Sequence, residues 1–149
     1  MKKITYNFKD RTAVITGGAQ GFGLDIAKRF LDSGANVIIW DMDAEMTDKA
    51  VKDLNNPNLS SNKIDVSNFK EVQECTNEIL KKTNIDILIN NAGITGPTAA
   101  LWEYDIEMWK KVVDINLMGT FNCCRAIVPN MIKKNYGRIV NVASVAGKD

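Results

Sequence analysis

A short apolar run, Thr12-Ala13-Val14-Ile15-Thr16, leads into Gly17-Gly18-Ala19-Gln20-Gly21-Phe22-Gly23. The run has the length and composition of a buried strand, and helical spacing of apolar residues starts right after the glycines. A glycine turn between a strand and a helix can cradle a pyrophosphate. The helix N-terminus offers unpaired N–H groups and about half a positive charge. Glycine lets the turn close and the phosphates reach the backbone. A plain turn would also be glycine-rich, so the context decides. Asp41 stands at the end of the next strand, where an acid can accept both ribose hydroxyls of an adenosine and repel a 2′-phosphate. Gln20 agrees with it, because a cation at that turn position would favour the extra phosphate. The pattern predicts a dinucleotide site that takes NAD rather than NADP.

Other chemistries find little support. The chain contains no histidine, which excludes His-based acid–base catalysis and argues against a zinc site. Cys75, Cys123 and Cys124 are an odd count with an adjacent pair, read as free thiols packed in helices. Lys and Arg number 19 and Asp and Glu 18, a net charge of +1. That balance lacks the basic excess that nucleic acid or an anionic membrane would select. Met1-Lys2-Lys3 is followed by no apolar stretch, and runs such as Val37-Ile38-Ile39-Trp40 are far too short to span a bilayer. A cytoplasmic protein is expected.

The elements that must position the turn alternate. A first helix carries Phe22, Ile26, Ala27 and Phe30 at helical spacing and stops at Gly34. Asn36 to Trp40 reads as a second strand, and Asp43 as the cap of a second helix that ends at Asn55-Asn56-Pro57. A weak strand covers Ser60 to Ile64, and Ser67 caps a third helix. Ile85 to Ile89 forms a fourth strand, followed by Asn90-Asn91-Ala92-Gly93. Asp105 caps one long helix with Trp109, Val112, Val113, Asn116, Thr120, Cys123 and Ile127 in register, kinked near Pro129. Arg138 to Val142 is a fifth strand. Strands alternating with helices predict an α/β, doubly wound parallel sheet of Rossmann type, in one domain over residues 1–149.

With these pieces in order, the chain from Lys9 onward resembles the short-chain dehydrogenase/reductase family. The glycine turn matches that family's Thr-Gly-x-x-x-Gly-x-Gly form. The resemblance implies that Gly17, Gln20, Gly21, Phe22 and Gly23 meet the cofactor and that Asp65, with Val66 beside it, bonds the adenine. It implies that Asn91, Ala92 and Gly93 of Asn-Asn-Ala-Gly brace the sheet and line the cofactor. Asn116 matches the family's catalytic-site Asn, where the long helix is distorted and a carbonyl holds a water. Ser144 matches its catalytic Ser. That serine follows the carboxyl end of the fifth strand, where a hydroxyl can donate to a carbonyl oxygen as charge grows on it.

The implied activity is NAD-dependent hydride transfer between a small secondary alcohol or ketone and nicotinamide, as in reductases of 3-oxoacyl thioesters or dehydrogenases of sugars and polyols. A homo-oligomer is implied for the full-length form. The family's Tyr-x-x-x-Lys belongs about a dozen residues beyond Ser144, past Asp149. The expectation is therefore an N-terminal portion of a longer enzyme, inactive alone, whose sheet stops after the fifth strand and leaves Arg138 to Val142 as an apolar edge. The alternative is a non-catalytic module that binds NAD or a subunit.

Overall fold

The computed structural model describes residues 6–144. In chain order it contains β1 (Thr12–Thr16), α1 (Gly21–Asp32), β2 (Asn36–Asp41), α2 (Ala44–Leu54), β3 (Leu59–Lys63), α3 (Phe69–Leu80) and β4 (Ile87–Asn90). A single 3₁₀ turn (Leu101–Glu103), α4 (Ile106–Val113), a π-helical segment (Asp114–Met118), α5 (Gly119–Lys133) and β5 (Arg138–Asn141) follow. The strands pair in parallel in the order β3-β2-β1-β4-β5. The chain winds outward from β1 to β3, then crosses back to lay β4 on the other side of β1. The switch between β1 and β4 opens a crevice at the carboxyl ends of the strands, the place where such sheets bind ligands.

Both sheet faces are covered, so β1 is buried along its whole length and reads as a continuous apolar run. Ala13, Ile15, Val37 and Ile39 face one core with Ala27 and Leu31 of α1 and Ala50 of α2. Val14, Ile38, Trp40 and Leu88 face the other with Val72 of α3 and Cys123 and Ile127 of α5. The three thiols are free and sit in helices, as anticipated.

Four expectations shift. Asn68, not Ser67, caps α3, its Oδ1 accepting from Lys70 N and Glu71 N. The Ser67 hydroxyl instead donates to Asp65 Oδ1 at 2.7 Å. β4 begins at Ile87 rather than Ile85, because Asp86 turns its carboxylate to Thr12 N and Arg11 at the strand's start. The buried stripe of α1 runs Gly23, Ala27, Leu31, which leaves Phe22 80% exposed. The helix must bring Gly23 against the turn, and Phe22, one residue back, points outward. Finally, the single long helix is not continuous: the π segment divides it around Asn116, where the family resemblance implied a distortion, and Pro129 lies inside α5. Thus α4 buries no residue and Trp109 is half exposed, although α5 is well packed. β5 stands at the sheet edge with Ile139, Val140 and Val142 exposed. No helix of the described residues is long and apolar enough to cross a membrane.

Candidate functional site

A cleft of about 400 Å³ opens at the carboxyl ends of β1, β2 and β4. Gly17 and Gln20 of the glycine turn form one wall, and the end of β2 adds Trp40, Asp41, Met42 and Asp43. Ile64, Asp65 and Val66 enter after β3, Asn91 to Ile94 after β4, and Ile115 from the π segment.

The turn is shaped by its glycines. Gly17 has φ +62° and donates its N–H to the Trp40 carbonyl at 2.7 Å. Gly21 has φ +53°, and a Cβ there would face open space, so only the backbone angle calls for glycine. Gly23 is different. A Cβ on it would overlap the Gly17 carbonyl oxygen and stand 2.7 Å from Asn91 Nδ2, so glycine is what lets α1 close on the turn. No side chain caps α1, and no acidic residue lies in its first turn. Its positive end is left open toward solvent.

Thr16 and Asn91 tie the turn to the segment after β4. The buried Thr16 hydroxyl accepts from Asn91 N and Ala92 N, both at 3.0 Å. Asn91 Nδ2 donates to the carbonyls of Thr16 and Gly17 at 3.0 and 3.1 Å. The Asn91 side chain is therefore committed to bracing. What the segment offers the cleft is backbone and the small residues Ala92 and Gly93.

Asp41 spans two elements. Its Oδ2 accepts from Ala19 N and its Oδ1 from Asp43 N, each at 3.1 Å. One lone pair per oxygen remains for a ligand. Asp65 accepts from Ser67 N and Ser67 Oγ through Oδ1 alone, at 2.9 and 2.7 Å. Its Oδ2 takes no hydrogen bond from the described residues. Asp41, Asp43 and Asp65 all stand in the cleft wall, and among the described residues no Lys or Arg does.

Asn116 lies in the π segment and clips the segment after β4. Its Oδ1 accepts from Ile94 N and its Nδ2 donates to Ile94 O, both at 2.9 Å. A Cβ on Gly93 would come within 3.2 Å of that oxygen, so a small residue suits the position. The Asn116 carbonyl accepts from the Thr120 hydroxyl at 3.0 Å. Ser144 is exposed beyond β5, which the Val142 N–H holds to Asn90 O at 2.9 Å. It lies past the same end of the sheet as the cleft, outside the cleft wall.

Of the residues picked from sequence, Gly17, Gln20, Asp41, Asp65, Val66, Asn91, Ala92 and Gly93 line the cleft together. Gly21 and Gly23 shape it from behind, and Phe22 points away. Asn116 touches it through Ile94. Sequence reading missed Trp40, Met42, Asp43, Ile64, Ile94 and Ile115 as wall residues. The first five flank predicted site residues and could have been inferred from them; Ile115 could not, because the π segment breaks the helical period. Elsewhere, burial pushes the Cys123 thiol up to about 12 and Cys75 to about 11, with the Glu78 charge adding to the latter. Neither lines the cleft. An uncapped helix N-terminus, a glycine turn open at Gly21 and a carboxylate with free lone pairs fit the diphosphate and ribose of a dinucleotide.

Comparison with known proteins agrees with this geometry. Residues 11–149 match the family model for short chain dehydrogenase. The chain is 38% identical over 143 residues to the 2-dehydro-3-deoxy-L-rhamnonate dehydrogenase (NAD(+)) of Sphingomonas sp. (strain SKA58), covering 95% of this chain and 57% of that protein. It is 37% identical over 141 residues to the 3-oxoacyl-(acyl-carrier-protein) reductase FabG of Chlamydia pneumoniae, covering 93% and 56%. Among solved structures, an NAD+-bound xylitol dehydrogenase superposes with a TM-score of 0.89 at 32% identity, over 95% of this chain and 56% of that one. The sequence thus spans little more than half the length of these relatives. The chain belongs to the short-chain dehydrogenase family.

Proposed function

We propose that the cleft binds NAD(H) in preference to NADP(H), in a protein that interconverts a small secondary alcohol and a ketone. The observation that carries the cofactor choice is Asp41, pinned at both oxygens to Ala19 N and Asp43 N, with no cation among the described residues of the wall to receive a 2′-phosphate. When bound, the nicotinamide supplies or takes up the hydride. The chain's own residues bind and orient. The N-terminus of α1 receives the diphosphate, the free lone pairs of Asp41 accept ribose hydroxyls, and Asp65 Oδ2 accepts from the base. Asn116 holds Ile94, and with it the wall that the segment after β4 forms. Ser144 donates its hydroxyl to the substrate carbonyl oxygen, stabilising the charge that develops there.

Relatives named for a sugar acid, a polyol and a 3-oxoacyl thioester share this alcohol–ketone chemistry and support the class. Exposed Ile106, Trp109 and Phe121 on α4 and α5 support a homo-oligomer. Three free thiols support a reducing compartment such as the cytoplasm.

Fluorescence titration of the purified protein with NADH and NADPH tests the cofactor reading. NADH should bind at least about tenfold tighter, and Asp41→Ala should erase most of that margin, as expected for one lost charge and two lost ribose contacts. Equal affinities in the wild type would refute it.

A further inference from the structure

Asp65 is tied to a residue outside the cleft. Asn122 lies on α5, buried and absent from the cleft wall. Its Nδ2 donates to Val66 O at 3.0 Å and to Ser67 O at 3.1 Å. No other donor among the described residues reaches either carbonyl. Ser67 in turn gives Asp65 Oδ1 both its N–H and its hydroxyl, at 2.9 and 2.7 Å, which leaves Oδ2 for a ligand. Glu71 Oε2 accepts from Asp65 N at 3.2 Å, a bond that fixes the backbone of Asp65 and not its carboxylate. On the same helix, Gly119 lets α5 come close to this segment, since a Cβ there would stand 2.6 Å from Val66 Cγ2. A buried amide in mid-helix is costly unless its donors are used. Both donors of Asn122 go to the segment that follows β3.

We propose that Asn122 is a positioning residue for the base end of the dinucleotide: by gripping Val66 and Ser67 from behind the cleft, it aims Asp65 Oδ2 at the exocyclic amino group of the base. The proposal rests on the dinucleotide reading above and deepens it. Without the amide, two carbonyls of a largely buried turn lose their donor, and the turn moves toward water to replace it. Ser67 moves with it, and the pair of bonds that orients Asp65 is disturbed. The Asp41 carboxylate bonds Ala19 N and Asp43 N and none of Val66, Ser67 and Asn122. The loss is therefore confined to the base, and the ribose contacts are kept.

The test pairs NADH with its hypoxanthine analogue, in which a carbonyl replaces that amino group. Dissociation constants for both, and for NADPH, are measured by fluorescence, with thermal melts to verify folding. Wild type should bind NADH about tenfold more tightly than the analogue, the order expected of a hydrogen bond to a carboxylate. Asn122→Leu keeps the branched shape of the side chain and removes its donors. Asn122→Ser is shorter and cannot span both carbonyls. Either should bring the base ratio down to about twofold, while the NADPH to NADH ratio, set at Asp41, stays at its wild-type value. Ser67→Ala removes the hydroxyl that reaches Asp65 and should move the base ratio in the same direction. Ile127→Val trims a buried residue of the same helix outside the cleft wall and should leave both ratios where they were.

An unchanged base ratio in a folded Asn122 variant, or in Ser67→Ala, overturns the role of Asn122 and leaves the NAD reading standing. Wild type that binds NADH and the analogue equally overturns it as well, since Asp65 then does not read the base. An equal fall in Ile127→Val overturns it by showing a general loosening of α5. Wild-type protein that binds neither NADH nor NADPH overturns both readings.

Discussion

Replacing Thr16 with valine should cost about 2 kcal/mol of folding stability, and the reason lies in its hydroxyl rather than its shape. Thr16 is buried, and its Oγ1 accepts from Asn91 N and Ala92 N while donating to Ile89 O at 3.4 Å. Valine fills nearly the same space, so no cavity forms. It leaves two backbone N–H groups without an acceptor, at roughly 1 kcal/mol or more each, the low end applying because both sites are only partly buried. Thr16→Ser keeps the acceptor and loses one buried methyl, about 0.8 kcal/mol. The hydroxyl account therefore ranks valine as the worse substitution, whereas a packing account ranks serine as the worse. Urea unfolding followed by tryptophan fluorescence would measure this, since Trp40 is fully buried and reports on the same core. The valine variant should melt about 4–8 °C below wild type, using the ~2–4 °C per kcal/mol typical of this chain length. A serine variant as unstable as the valine variant, or more so, would refute the reasoning.

Gly23→Ala should cripple the site even though alanine favours helix. Its Cβ overlaps the Gly17 carbonyl and crowds Asn91 Nδ2, so the turn must open, at about 1–3 kcal/mol; NADH affinity comparable to wild type would count against the cradle. The thiols give a pH prediction. Cys75 and Cys123, raised to about 11 and about 12, stay protonated in the fold. Their contribution to stability is present below the ordinary thiol value of 9.0 and is lost as pH rises from there toward the raised values. In native protein, iodoacetamide should label half-exposed Cys124 before the other two, as peptide mass analysis can check; early labelling of buried Cys123 would contradict the packing of α5.

The sheet was legible in the sequence because a doubly covered strand must be apolar through its middle, and residues 13–15, 37–40 and 87–89 are. The cleft was legible where one residue type has one physical use: Gly17 and Gly23 for close approach, and Asp41 as a carboxylate in the wall at the end of β2. Reading failed where a short polar residue had two candidate roles. Ser67 and Asn68 both suit a cap, and only the Asp65 carboxylate, which takes the Ser67 hydroxyl, decides between them. The bracing by Asn91 was implied by the family resemblance, whereas the grip of Asn116 on Ile94 was not legible, because that amide bonds backbone that lies far along the chain. Periodicity extrapolated through residues 114–118 assigned Trp109 to a buried face, although it is half exposed.

That last miss has a geometric sequel. Each residue of an α-helix advances the side-chain direction by about 100°. A π turn accommodates one extra residue, so everything after it is rotated by about that angle relative to everything before. α4 and α5 are two stripes offset around a common axis, and Asp114–Met118 sets the phase between them. Removing a single residue from this segment would let an unbroken α-helix form with little change in helix propensity. It would also turn α4 by roughly a quarter of a circle, carrying Ile106 and Trp109 to a different bearing and pulling Asn116 off Ile94. A length change of one residue here acts as a dial for which surface α4 presents, one that no point substitution could reproduce.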